Sequence, residues 1–239
     1  MTRKIILTLI LIVIALTTHS CLDYVTIFPS GGVYSYERPA RPFSEISVSN
    51  GIDLIINQSY NFKITVEADD NLHQHIITEV SGNNLQIYIK RGVVLGQGRR
   101  IKVYVSCPWI GTVTSSGGGR VIFENPWNGS SLFCRVSGGG SITGEVRVDK
   151  LNISLSGGSD CSLIGFSESV KINSTGGSKV RMNHFETNIC DINISGGGKA
   201  ELTVFDYLHV FASGGSKILF TGNPKVTTTL TGGSAVIKL

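Results

Sequence analysis

The sequence predicts an all-β chain wound as a right-handed parallel β-helix, with about 18–21 residues per coil and Gly-Gly corners. Glycine is the first of three observations behind this. It supplies 29 of 239 residues, roughly 12% against a usual level of about 7%. Proline is low at 6 and the apolar fraction is 41%, which excludes collagen and a Pro/Gly-rich disordered chain. The second observation is a repeat, [ST]-G-G-[SG], found seven times with first glycines Gly117, Gly138, Gly157, Gly176, Gly196, Gly214 and Gly232. The third is the set of apolar columns on both sides of each glycine pair. Val113, Cys134, Ile153, Ile172, Ile192, Val210 and Thr228 stand four residues before it, and Val121, Ile142, Cys161, Val180, Ala200, Ile218 and Val236 four after. Further columns two and six residues away are also mostly apolar, a spacing that marks one face of a β-strand.

The elements follow in order. Residues 1–20 read as an export signal. Arg3 and Lys4 form a basic start, and Ile5 to Leu16 is apolar apart from Thr8. That run is too short for a bilayer span and suits a secretory segment. Cys21 after Ser20 resembles the lipidated cysteine of a bacterial lipoprotein, although Thr18 and His19 depart from the usual pattern. An ordinary signal peptide cut nearby, or an uncleaved anchor, is the rival reading. Without Arg3 and Lys4 the formal charge falls from +4 to +2, so charge gives no argument for nucleic acid. Residues 21–42 carry Pro29, Gly31, Gly32, Pro39 and Pro42 without periodicity and read as a tether.

Residues 43–110 alternate as strands but lack the glycine pair, and are expected to form irregular first coils and a cap. Asn50-Gly51 is a turn signal there. Residues 111–239 are the regular coils. Each coil cannot bury its apolar face alone, and stacking on the next buries it. Glycine at the corner takes φ > 0 and lets coils approach without a Cβ. The Ser or Thr before each pair is expected to form a hydroxyl ladder. Phe166, Phe185 and Phe205, each nine residues after a first glycine, are expected to stack inside a third corner. A β-sandwich of hairpins is the rival fold, and constant spacing argues against it. The last coil has no polar cap, so its end is expected to be covered by an N-terminal segment or by a second copy of the chain.

The order Phe43-x-x-Ile46-Ser47-Val48-Ser49-Asn50-Gly51-Ile52-Asp53-Leu54, then Val66-Glu67-Ala68-Asp69-Asp70-Asn71-Leu72, Ile77-Thr78-Glu79-Val80 and Leu85-Gln86-Ile87, followed by repeated S-G-G-S, resembles the head GIN domain family. The resemblance covers about residues 43–239. It implies a β-helical envelope lipoprotein of Bacteroidetes type, with an adhesin head. The family carries no established catalytic residues, so none is transferred.

Candidate sites are few. Cys134, Cys161 and Cys190 fall in three different apolar columns, so they read as buried free thiols. His73-Gln74-His75 places two imidazoles on one strand face with no third ligand near, and Asp69-Asp70-Asn71 reads as a turn. No metal or cofactor is expected. The carboxylates of the repeats gather in no column, which speaks against the paired acids of a glycosidase. Lys90, Arg91, Arg99 and Arg100, followed by Lys102, have no acid between them and flank a glycine-rich loop, a candidate contact for an anionic glycan or lipid headgroup. Trp127 at an irregular tip is a candidate for stacking on sugar, or a corner cap. Arg120, Ser141, Asp160, Lys179, Lys199, Lys217 and Ala235 form an exposed column with three neighbouring lysines.

These features predict a non-catalytic head, lipid-anchored through Cys21 at the outer membrane and facing the periplasm or the cell surface. Its role would be structural, adhesive or ligand-presenting. A polysaccharide-active enzyme and a periplasmic scaffold for another envelope protein are the alternatives. The expected partners are the membrane, a glycan or an envelope protein, and a second copy at the C-terminal coil.

Overall fold

A computed structural model describes residues 24–239; the expected export signal, residues 1–20, and the expected lipid site Cys21 lie outside the described residues. The chain forms β1 Val25–Ile27, β2 Val33–Arg38, β3 Glu45–Val48, β4 Asp53–Gln58 and β5 Lys63–Asp69, then a 3₁₀ turn, Asp70–His75. After it come β6 Ile76–Ser81, β7 Asn84–Ile89, β8 Val93–Leu95, β9 Lys102–Cys107, β10 Thr112–Ser115 and β11 Arg120–Phe123. The regular coils hold β12 Trp127–Val136, β13 Ser141–Leu155, β14 Asp160–Ser174, β15 Lys179–Ile194, β16 Lys199–Ala212, β17 Lys217–Thr221, β18 Lys225–Leu230 and β19 Ala235–Lys238.

These strands stack in parallel as a β-solenoid. The segments before the glycine corners form a front sheet in the order β7, β3, β10, β12, β13, β14, β15, β16, β18. The segments after the corners form a back sheet in the order β9, β4, β11, β13, β14, β15, β16, β17, β19. The longer strands bend once between the two sheets, giving a narrow third side that runs from Trp127–Gly129 through Val146–Val148. The expected columns point inward: Val113, Cys134, Ile153, Ile172, Ile192 and Val210 are all buried in one register column. Each such side chain contributes about 1.5–3 kcal/mol by leaving water.

All seven first glycines take positive φ, from 61° at Gly232 to 84° at Gly196. The hydroxyl ladder sits elsewhere than expected. The serine after the pair is the buried one: Ser159, Ser178 and Ser216 each donate their hydroxyl to the carbonyl three residues back, at 2.7–3.0 Å. The residue before the pair joins the ladder through its backbone N–H, as Ser156 does to Val136 O.

The phenylalanine stack is also corrected. Phe185 is buried, whereas Phe166 and Phe205 are exposed. The pairing of β14 with β15 slips between Ser162 and Gly165, so Phe185 lies opposite Gly165 and not Phe166. A one-residue slip turns a side chain to the other face. In the next coil Val204 takes the inner place and Phe205 points out.

Spatial order departs from chain order at the N-terminal end. β3 lies between β7 and β10, so residues 84–107 form a coil outside the one that precedes them in sequence. This outermost coil is capped by antiparallel strands. β6 pairs with β7, β5 with β9, and β2 with β5. These antiparallel strands include β2, from the stretch whose sequence suggests a tether. β1 and β2 are strands of the head, and the 3₁₀ turn holds them. Asn71 Oδ1 accepts from Ser30 N–H (3.1 Å), Asn71 Nδ2 donates to Phe28 O (2.8 Å), and Asp69 Oδ1 accepts from Gly31 N–H (2.7 Å).

Among the described residues, the N-terminal segment covers the N-terminal end and not the last coil, against one of the two expected covers for β18. Every residue of β18 is exposed, and Val226, Leu230 and Ile237 show apolar surface.

Candidate functional site

Strand alternation puts polar residues on the outside of the front sheet, because their neighbours are committed to the core. Ser47 stands between buried Ile46 and Val48, and Gln86 between buried Leu85 and Ile87. Outside β7, β3 and β10 this surface opens into a groove of about 980 Å³. Its walls carry hydroxyl and amide groups from Ser47, Ser49, Asn84, Gln86, Thr114 and Ser116, with Tyr24 and Tyr88 beside them. Lys90 and Arg91 complete it, and no carboxylate lines it.

The basic turn is held from three sides. Lys90 N–H donates to His75 O (2.8 Å), Val93 N–H donates to Lys90 O (3.2 Å), and Val25 N–H donates to Gly92 O (2.9 Å). Tyr88 hydroxyl donates to Glu79 (2.7 Å), which fixes its ring and raises its pKa. At the rim, Asn50 Oδ1 accepts from Ile89 N–H (3.1 Å).

The structure thus brings two of the four predicted basic residues, Lys90 and Arg91, into the groove. Arg99 folds back over its loop, with Nη1 donating to Leu95 O (3.1 Å), and its guanidinium reaches the Gly51 corner beside the rim. Arg100 is exposed and outside the groove. Lys102 is taken up by Glu67 at 2.8 Å. Trp127 is corrected: it is buried against Phe123, with ring centroids 5.8 Å apart, so it caps a corner from inside and offers no face to a sugar. Trp109 is the exposed tryptophan.

A second depression, of about 570 Å³, lies on the same sheet over β14, β15, β16 and β18. Lys171, Asn173, Asp191, Asn193, His209 and Phe211 line it, with Asp191 Oδ1 2.8 Å from His209 Nδ1. Strand alternation turns most of these toward water, since they stand between inward apolar columns. It could not show two grooves on one sheet, because that depends on the order of strands in space.

The histidines are corrected too. His73 belongs to the 3₁₀ turn, not to a strand, and is buried, its Nε2 3.1 Å from both Tyr34 O and Ala68 O. Among the described residues no group of three His, Cys, Asp or Glu stands together as a metal site. Several repeat carboxylates are matched with cations: Glu145 with Arg147 (2.6 Å), Asp160 with Arg181 (3.1 Å) and Glu201 with Lys199 (2.7 Å). The predicted exposed column is in register, and its first member, Arg120, pairs with Asp53. Cys107, Cys134, Cys161 and Cys190 are free and buried. Burial pushes the thiols of Cys107, Cys161 and Cys190 up to about 12 and that of Cys134 well above its ordinary value. Among the described residues no helix is long and apolar enough to cross a membrane.

The solenoid has solved counterparts. A "putative adhesin" of Bacteroides fragilis superposes with a TM-score of 0.82 at 20% identity, over 89% of this chain and 99% of that one. A "putative lipid binding protein" of Parabacteroides distasonis gives 0.73 at 20%, over 90% and 100%. A "putative adhesin" of Parabacteroides merdae gives 0.73 at 21%, over 90% and 99%. At these identities the likeness establishes the fold. No curated protein matches the chain. The sequence profile described as "Putative auto-transporter adhesin, head GIN domain" matches residues 42–224, most of the chain, and the chain belongs to that family.

Proposed function

We propose that this chain is the lipid-anchored head of a bacterial envelope protein, and that it acts by presenting a rigid binding surface and not by catalysis. The observation that carries this is the front sheet: one face of a stacked solenoid holding two grooves, the larger lined by hydroxyls, amides and two cations. Membership in a family described as adhesin heads agrees with it. The rival enzyme reading needs paired carboxylates, whereas several acids of the repeats are spent on neighbouring cations.

Two measurements test the proposal. The full chain, expressed in bacteria fed an alkyne-bearing palmitate, is expected to carry label and to fractionate with the outer membrane. Cys21→Ser is expected to lose both, and label that survives this change would overturn the anchor. The mature chain with Cys21→Ser, immobilised on beads, is expected to retain envelope glycan or protein saturably. Retention no greater than on bare beads would overturn the adhesive role.

A further inference from the structure

We infer that the groove and the depression are the two ends of one site for an extended acidic polysaccharide, a chain of uronic-acid sugars lying across the strands of the front sheet. This rests on the adhesive reading above and names its ligand class.

Continuity is the first argument. One register column runs without a break from Gln86 and Ser47 in the groove, through Arg135, to Asn193 and Phe211 in the depression. Nine strands stand side by side here, which at about 4.8 Å per gap makes a track of about 38 Å. A sugar unit is close to one strand spacing in length, so successive sugars meet successive strands.

The side chains give the second argument. Hydroxyl and amide groups bond sugar hydroxyls, and a ring waits at each end, Tyr88 in the groove and Phe211, 57% exposed, beside the depression. A membrane that takes up an inserted face would instead call for a broad apolar patch.

Charge is the third argument. Lys90 and Arg91 stand in a groove without carboxylates, Arg135 stands midway, and Lys171 stands at the far end. A second outward column runs beside the first, from Asn84 and Glu45 to Lys171, Asp191 and His209; of the two acids in these columns, Asp191 is engaged by His209, and Glu45 is the other. The track therefore offers cations at intervals, which matches an anionic chain and not a neutral one.

The test uses the mature chain with Cys21→Ser and isothermal titration with a long oligogalacturonate. Three further probes are its trisaccharide, a neutral cello-oligosaccharide of equal length, and vesicles of phosphatidylglycerol and phosphatidylcholine. The expected result is saturable binding of the long acidic chain that weakens with salt. The trisaccharide is expected to bind more weakly by about tenfold or more, since it cannot reach both ends. Lys90→Ala/Arg91→Ala and Phe211→Ala are each expected to weaken binding about tenfold or more, with thermal midpoints near that of the parent. Equal binding of the neutral chain, binding to the vesicles alone, or affinity unchanged in both variants would overturn the inference. If beads still retain envelope material but oligogalacturonate does not bind, this inference falls and the adhesive reading stands.

Discussion

At the scale of single residues, the corner glycines are the most constrained positions. A Cβ on Gly196 would lie 2.9 Å from Gly176 N, and its φ is 84°. Gly196→Ala therefore meets left-handed strain of roughly 1–2 kcal/mol, and a clash with the coil below adds to it. Gly177 is the control, with ordinary φ and open space where its Cβ would go. Gly177→Ala is expected to shift stability by less than about 0.5 kcal/mol. Chemical denaturation of the pair checks this, and equal midpoints would refute the stacking argument. The buried thiols add a pH dependence. Folded thiols near 12, against an ordinary value of 9.0, bind protons that the unfolded chain has released. Their stabilising contribution is complete below pH 9.0 and is lost as pH rises toward 12. Denaturation midpoints are expected to fall across that window, and to fall less in Cys161→Ala. Equal falls would show that lysines and tyrosines alone set the alkaline limit.

At the scale of elements, the sequence was most legible where one rule repeated. Glycine pairs and period-two columns placed β12 to β17 in their correct faces, because stacking forces every coil to obey the same steric limits. Asn50-Gly51 obeys them as well, although in the sequence it carries only a turn signal. A Cβ on Gly117 would lie 3.1 Å from Asn50 N, and Asn50 has φ 62°, so this pair is the first member of the corner stack with asparagine in glycine's place. Bulges hid the phenylalanine positions, since a slip of one residue leaves no mark in spacing. Of the two readings of Trp127 the corner cap holds and the sugar contact does not, and spacing could not choose between them because the burial pattern of β12 breaks after its first residue. β2 carries no periodicity in the sequence because it lies as an outer strand on the cap, with five of its six residues exposed. What holds its entry is the 3₁₀ turn. Asn71→Ala removes two hydrogen bonds to residues 28–30, each worth about 0.5–1.5 kcal/mol and near the low end because they are exposed. Limited proteolysis is expected to cut residues 24–32 several-fold faster in this variant, with an unchanged thermal midpoint. Unchanged cutting would mean that β1 and β2 alone fix the segment.

At the scale of the whole molecule, the two ends of the solenoid differ. One end is closed by antiparallel strands that occupy the edges of the outermost coil and by Leu72, which is fully buried. The other stops at β18 and β19, each paired on one side alone among the described residues. In a stacked array, stability is a sum of coil and neighbour contributions, so a coil with one neighbour lacks half of its interface. Opening should therefore begin at the C-terminal coil and move inward, with β13 to β15 opening last. Hydrogen exchange on residues 22–239 is expected to show fast exchange in β18 and β19, slower exchange in β16 and β17, and the strongest protection in β14. Protection of β18 equal to that of β14 at every protein concentration would refute this order. Protection that rises with concentration would instead identify a second copy of the chain as the cover for the bare end. In that case Leu230→Lys, at an exposed apolar position on the edge strand, is expected to abolish the concentration dependence and leave β14 unchanged.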